Sequence, residues 1–311
     1  MRIFVGVTDT TWFNFLASRH DIVELNFWQP AGNRRFRALS PGELFVFKLK
    51  APHNVIAGGG FLAHSSLLPV SLAWEAFGEK NGFGSYMALR ERIARYRGTD
   101  PGVNDDFTIG CIILQNPFFL PPEHWIPVPD DFASGVVVGK GYTTDDAAGA
   151  RLFEQVQERM HLGWRTHLVS EPERPESPSV HFTDAVSRRR LGQGTFRVLV
   201  TDVYERRCAV SGERTLPVLQ AAHIQPVSRG GVHALGNGLL LRSDIHTLFD
   251  RGYIGVTPDL RVRVSHRLKQ DFDNGRIYYQ HDGALIRVPS DLEHQPLREM
   301  LEWHADTIFL K

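Results

Sequence analysis

Four residues stand at a spacing that chemistry can use: His223, Asn237, His246 and Asp250. Asn237 lies fourteen residues after His223, His246 nine after Asn237, and Asp250 four after His246. A neutral imidazole with a pKa near 6.5 can take a proton from water. An imidazole paired with a carboxylate can hold a divalent cation, and the hard carboxylate favours Mg²⁺ or Mn²⁺. Three short elements must position these groups. The run Ala221-Ala222-His223-Ile224-Gln225-Pro226 reads as one strand, and Asn237-Gly238-Leu239-Leu240-Leu241 as a second, buried one. Ser243 to Arg251 reads as a helix, on which His246 and Asp250 share a face because i and i+4 are neighbours. The result is a small ββα unit able to hold one divalent metal beside one general base.

In that order, with Gly230-Gly231 between the first two landmarks, these motifs resemble the HNH nuclease family over roughly residues 191 to 270. The resemblance implies a metal-dependent phosphodiesterase. His223 would be the general base, Asn237 would fix its ring through a hydrogen bond, and His246 and Asp250 would hold one Mg²⁺ or Mn²⁺ per active site. The chain departs from the common pattern at Ala222, where many relatives carry another ligand, and Asp244 is the nearest substitute. Arg229, Arg242 and Arg251 flank the site as candidate phosphate contacts.

Composition frames this reading. The chain has 311 residues, 23% charged and 42% hydrophobic, which is globular and long enough for two cores. The net charge is zero, so the protein as a whole is no basic glue for nucleic acid. From Val186 to Arg229, however, eight basic residues face three acidic ones, as phosphate binding asks. Cys111 sits in an apolar run, and Cys208 is followed by Ser211 where a zinc partner would stand, so no structural zinc is expected. Met1 to Val7 is too short for a signal peptide or a span, and the expected setting is cytoplasmic.

The N-terminal half alternates strands and short helices. Arg2 to Val7, Asp21 to Trp28, Glu43 to Lys50, Asn54 to Phe61 and Phe107 to Leu114 read as strands, the last as a buried central one. Gly58-Gly59-Gly60 inside a strand predicts a bulge or a close backbone approach. Asp9 to His20, Val70 to Gly78, Ser85 to Arg97 and Asp145 to His161 read as helices, while Pro117, Pro121, Pro122, Pro127 and Pro129 break regular structure. The segments around Trp28, Glu43 to Lys50, Ile56 to Phe61, Trp74 and Trp125 resemble the PUA superfamily of SRA, EVE and YTH modules. That resemblance implies a curved sheet or barrel with a pocket for a flipped nucleobase. Trp28, Trp74 and Tyr86 would be its walls, and Asn26, His64 and Ser65 would read the base edge.

Ser170 to Ser179, with prolines among Glu and Ser, reads as an extended linker. The expected organisation is α+β: a PUA-like reader over 1–168, a linker over 169–190 and a ββα-metal HNH domain over 191–311. Together the two resemblances imply a modification-dependent (type IV) restriction endonuclease acting on double-stranded DNA with a modified base such as modified cytosine. A homodimer would let a one-strand cutter reach both strands. Two other readings stay open: a conventional sequence-directed restriction or homing nuclease, and a non-catalytic nucleic-acid-binding protein, which Ala222 favours.

Overall fold

The computed structural model describes residues 1–99, 106–167 and 191–311; the expected linker and Arg188, Arg189 and Arg190 lie outside the described residues. The chain divides into two compact units, Met1–Arg189 and Arg190–Lys311. The architecture is α+β, as expected.

The first unit is organised on one mixed sheet. Its strands are β1 (Arg2–Thr8), β2 (Glu24–Gln29), β3 (Leu44–Leu49), β4 (Val55–Pro69), β5 (Thr108–Phe119), β6 (Ile126–Pro127) and β7 (Gly139–Thr143), in the order β2-β5-β4-β3-β1-β7 with β6 added beside β4. β1 and β3 run parallel, which requires the intervening chain to cross over, and the other pairs are antiparallel. The crossover carries α1 (Thr10–Ala17), capped by Asp9, whose carboxylate accepts from the Trp12 amide at 2.8 Å. Among the described residues the other helices are α2 (Val70–Phe77), α3 (Tyr86–Arg97) and α4 (Ala147–His167).

Two strands differ from the sequence reading. β3 alternates in pattern yet is buried at every position, Lys48 included, because both of its faces are covered. β5 passes through Pro117 to Phe119, so the first of the prolines expected to break structure sits inside a strand. The glycine triplet behaves as predicted: β4 shifts register between Gly59 and Phe61, and a Cβ on Gly59 would lie 2.5 Å from the Phe45 carbonyl oxygen.

The second unit begins with α5 (Gln193–Val203). Gly192 is the residue before its first turn, and Thr195 within that turn is buried. The hairpin β8 (Leu219–His223) and β9 (Gly238–Arg242) follows, then α6 (Ser243–Asp250). A second hairpin, β10 (Ile254–Val256) with β11 (Val262–Val264), the short helices α7 (Arg267–Phe272) and α8 (Arg276–Tyr279), and α9 (Arg298–Thr307) complete it. Phe196, Val200, Ala222, Leu239, Leu241, Ile245 and Phe249 share one core, which fixes α5 and α6 against the hairpin. α9 packs on α6, His304 stacking on Phe249 with ring centroids 3.8 Å apart. No helix among the described residues is long and apolar enough to cross a membrane.

Candidate active site

β8 delivers two side chains to the site. His223 is its last residue, and Gln220 lies three before it. Ala222 is 0% exposed: the strand's alternation turns the residue before His223 into the core, where a charged ligand would be costly. The His223 ring lies flat on Phe196 of α5, with centroids 4.0 Å apart and planes 12° from parallel. Its Nε2 meets Nδ1 of His233 at 2.9 Å. Burial, then the neighbouring imidazoles of His233 and His246, hold the His223 pKa down at about 4, so the ring is neutral around pH 7.

Asn237 makes no hydrogen bond to that ring. It sits in the turn Leu235–Asn237, fully buried, and its Oδ1 accepts from the Gln225 amide at 2.8 Å. Both Nδ2 protons are committed, to the carbonyls of Gln225 and Val232, each at 2.9 Å. The expected hydrogen bond to His223 is therefore replaced by a staple across the loop from Gln225 to Asn237. The loop is drawn tight enough that a Cβ on Gly231 would lie 1.9 Å from the Gln225 carbonyl oxygen.

α6 carries the other pair. His246 Nε2 and Asp250 Oδ2 stand 3.3 Å apart, one turn from each other. His246 Nδ1 lies 2.8 Å from Gln220 Oε1; an amide oxygen accepts, so Nδ1 carries the proton and Nε2 keeps its lone pair. Burial lowers the His246 pKa, with Asp250 opposing, and burial raises that of Asp250, with His246 opposing. A neutral imidazole beside a carboxylate, with the far ring nitrogen held by an acceptor, fits a divalent cation. Among the described residues no third His, Cys, Asp or Glu joins them. Asp244, the substitute considered from sequence, is spent elsewhere: Arg242 grips both its oxygens at 2.6 and 2.8 Å, and the Tyr278 hydroxyl donates at 3.1 Å. Arg242 holds its carboxyl down at about 2. The same fork engages Arg242, the candidate phosphate contact, with the Asp244 carboxylate. Arg229 is exposed at the end of a short turn.

Residues 208–257 match the HNH endonuclease family (HNH_2). The chain carries an HNH endonuclease domain. Enzymes of this family hydrolyse phosphodiester bonds, and the matched segment holds His223, His233, Asn237, His246 and Asp250. A search of curated proteins finds no match to the sequence. Among solved structures, two mutant forms of ZmASCH from Zymomonas mobilis align at 11% and 13% identity. They cover 50% and 51% of this chain and 97% and 95% of their own, with TM-scores of 0.33 and 0.31. The modification-dependent TagI restriction endonuclease aligns at 13% identity, over 97% of this chain and 81% of its own, with a TM-score of 0.30.

The N-terminal unit contains a cavity of about 740 Å³, inside the size range of ligand sites. Its walls include Trp12, Phe27, Trp28 and Tyr96, and its polar groups include Lys48, Lys50, Asn54 and Asp9. Lys48 is 8% exposed, donates to Asn54 Oδ1 at 2.8 Å, and has its pKa lowered by burial. Lys50 donates to the Tyr96 hydroxyl at 2.9 Å, which in turn lies 3.3 Å from Asp9 Oδ2. Of the residues expected here, Trp28 alone lines the cavity. His64 on β4, Trp74 on α2 and Tyr86 in the first turn of α3 do not line it, and the Ser65 hydroxyl is bound to the Phe36 carbonyl at 2.7 Å.

Asn26 is fully buried and gives its amide to Asn81 Oδ1 at 2.9 Å. The Asn81 carbonyl accepts both indole N–H groups, from Trp12 at 3.0 Å and Trp28 at 3.1 Å. Asn26 thus stands one layer behind the cavity, bracing the residue that anchors two of its walls. Lys48, near the end of β3, and Lys50, just past it, were visible as i, i+2 neighbours, the signal that could have found them.

Proposed function

We propose that this protein is a metal-dependent DNA endonuclease whose N-terminal unit reads a nucleobase flipped from the duplex, a modified cytosine being the preferred target. The observation that carries the nuclease half is the pairing, inside the HNH segment, of a neutral His223 with the His246–Asp250 couple. His223 accepts the proton of the attacking water. His246 and Asp250 hold the cation, with Gln220 fixing the His246 tautomer. A bound Mg²⁺ or Mn²⁺ would neutralise the charge that builds on the phosphate and hold the leaving oxygen. Arg229 is an exposed cation suited to backbone phosphate.

The cavity supports the reading half. Trp28 and Tyr96 offer aromatic faces, and Lys48 with Asn54 offers polar groups to the base edge. Joining reader and cutter in one chain keeps the cutter at high effective concentration near the base that is read. The organisation proposed is a reader over 1–168 joined through 169–190 to the nuclease over 191–311.

The test compares cleavage of matched duplexes carrying cytosine, 5-methylcytosine or 5-hydroxymethylcytosine with Mg²⁺ or Mn²⁺. Preference for a modified duplex, lost in Trp28→Ala with cleavage itself retained, is the expected result. Equal cutting of all duplexes removes the reader proposal, and undiminished cutting by His223→Ala removes the base assignment.

A further inference from the structure

His233 reaches the site from the loop that Asn237 staples, and nothing in the spacing of the four sequence landmarks includes it. We propose that His233 is the positioning residue of the base: it accepts the Nε2 proton of His223 and leaves Nδ1 of His223 as the nitrogen that takes the proton from water. This rests on the reading of His223 as general base.

Two imidazole nitrogens 2.9 Å apart hold one proton between them. If it sits on His233 Nδ1, His223 carries its own proton on Nδ1 and has no lone pair to offer. If it sits on His223 Nε2, Nδ1 of His223 is basic. The second arrangement also survives the reaction, because the imidazolium formed on His223 keeps its Nε2–H pointed at the His233 lone pair.

The loop is built to hold His233 in place. Asn237 Nδ2 donates to the carbonyl of Val232 at 2.9 Å, and the Asn237 amide donates to the carbonyl of Ala234 at 3.0 Å, so both neighbours of His233 are tied to Asn237. Phe196 fixes the plane of the His223 ring by stacking on its face. Asn237 thus acts on the base at one remove, through His233. In the step itself, the water O–H bond breaks with its proton passing to His223 Nδ1. The water oxygen bonds to phosphorus as the P–O3′ bond breaks, and the 3′ oxygen takes a proton from solvent.

The test uses the full chain in two measurements. By ¹⁵N NMR of the imidazoles at neutral pH, His223 in the wild type is expected as the Nε2–H tautomer, giving way to a mixture in His233→Leu. In single-turnover cleavage, His233→Leu is expected to lower the rate at saturating DNA by about 10²–10⁴-fold. His233→Asn, whose Oδ1 can stand where Nδ1 stood, is expected to recover to within about tenfold of wild type. A folded His233→Leu that cuts within about threefold of wild type overturns the inference. So does an Asn variant no better than the Leu variant, or a wild-type His223 found as the Nδ1–H tautomer. His223→Ala separates the two layers. If it cuts like wild type, the base reading itself has failed; if it is dead while His233→Leu is active, only the present inference falls.

Discussion

Gln220→Leu isolates the acceptor that sets the His246 tautomer. In the native site Gln220 Oε1 takes the Nδ1 proton at 2.8 Å, so Nε2 offers a lone pair toward the space it shares with Asp250 Oδ2, 3.3 Å away. Without that acceptor the imidazole gains by moving its proton to Nε2, where it donates to the Asp250 carboxylate, and the cation must then displace a charge-assisted hydrogen bond. Loss of such an outer-shell partner costs about 10–100-fold in metal affinity, or roughly 1.4–2.7 kcal/mol. The assay is single-turnover cleavage at saturating DNA against Mn²⁺ or Mg²⁺ concentration. The half-saturating metal concentration should rise by that factor, while the rate at saturating metal returns to within a few-fold of wild type. Gln220→Glu, which keeps an acceptor at the same reach, should restore the native concentration dependence. A Gln220→Leu variant with an unchanged half-saturating concentration would refute the assignment of His246 Nε2 as a ligand.

Asn237→Ala strands the Gln225 amide and the carbonyls of Gln225 and Val232. At about 1–3 kcal/mol for each buried group left unpaired, it should destabilise the C-terminal unit by several kcal/mol in urea melts and abolish cleavage. His304→Phe tests acid sensitivity: His304 is 2% exposed, donates Nε2–H to the Phe249 carbonyl at 3.1 Å, and leaves Nδ1 buried without a partner, with its pKa held at about 4 by burial. Because the folded pKa lies below the ordinary 6.5, the unfolded chain takes the proton first. The stability contributed by neutral His304 is complete above 6.5 and is lost as pH falls toward 4. Between pH 7.5 and 5.0 the wild type should lose about 2 kcal/mol more than His304→Phe, and equal losses would contradict this account. Lys48→Met should leave cleavage of plain DNA unchanged while reducing any preference for the modified duplex by about tenfold or more, read as a ratio of kcat/KM values.

Legibility followed sequence distance. His246 and Asp250 share a face because one helical turn fixes i and i+4, and the structure places them 3.3 Å apart without help from the rest of the chain. The glycine triplet and the short ββα elements were readable for the same local reason. The cavity was not, because Trp12, Lys48 and Tyr96 meet only through the order β2-β5-β4-β3-β1-β7 and the helices that cross it. Asn26 misled because it looks like a polar residue beside an aromatic wall, and nothing local says that the turn Gly78–Asn81 covers that face of β2. His233 was missed because a loop histidine acquires meaning only from the staple that aims it.

Ala222 first looked like a missing ligand, and the strand geometry gives it a different meaning. On β8 the residue before His223 is packed with Leu239 and Leu241, where a carboxylate would lose its hydration without gaining a partner. Two residues earlier on the same strand the cover ends, and there the exposed Gln220 reaches His246. In the proposed metal site the strand would therefore contribute an amide that orients His246 rather than a direct ligand. Asp244 beside the His246–Asp250 pair is neutralised by Arg242 and so would not compete for a cation held there. His223 in turn is kept neutral by burial and by His233 and His246, and a cation held by His246 and Asp250 would add one more positive charge favouring its unprotonated form. The proposed base and metal pair would thus be linked through charge: a cation held by His246 and Asp250 would keep His223 unprotonated in the resting site, and the same repulsion would lower its affinity for the proton of water.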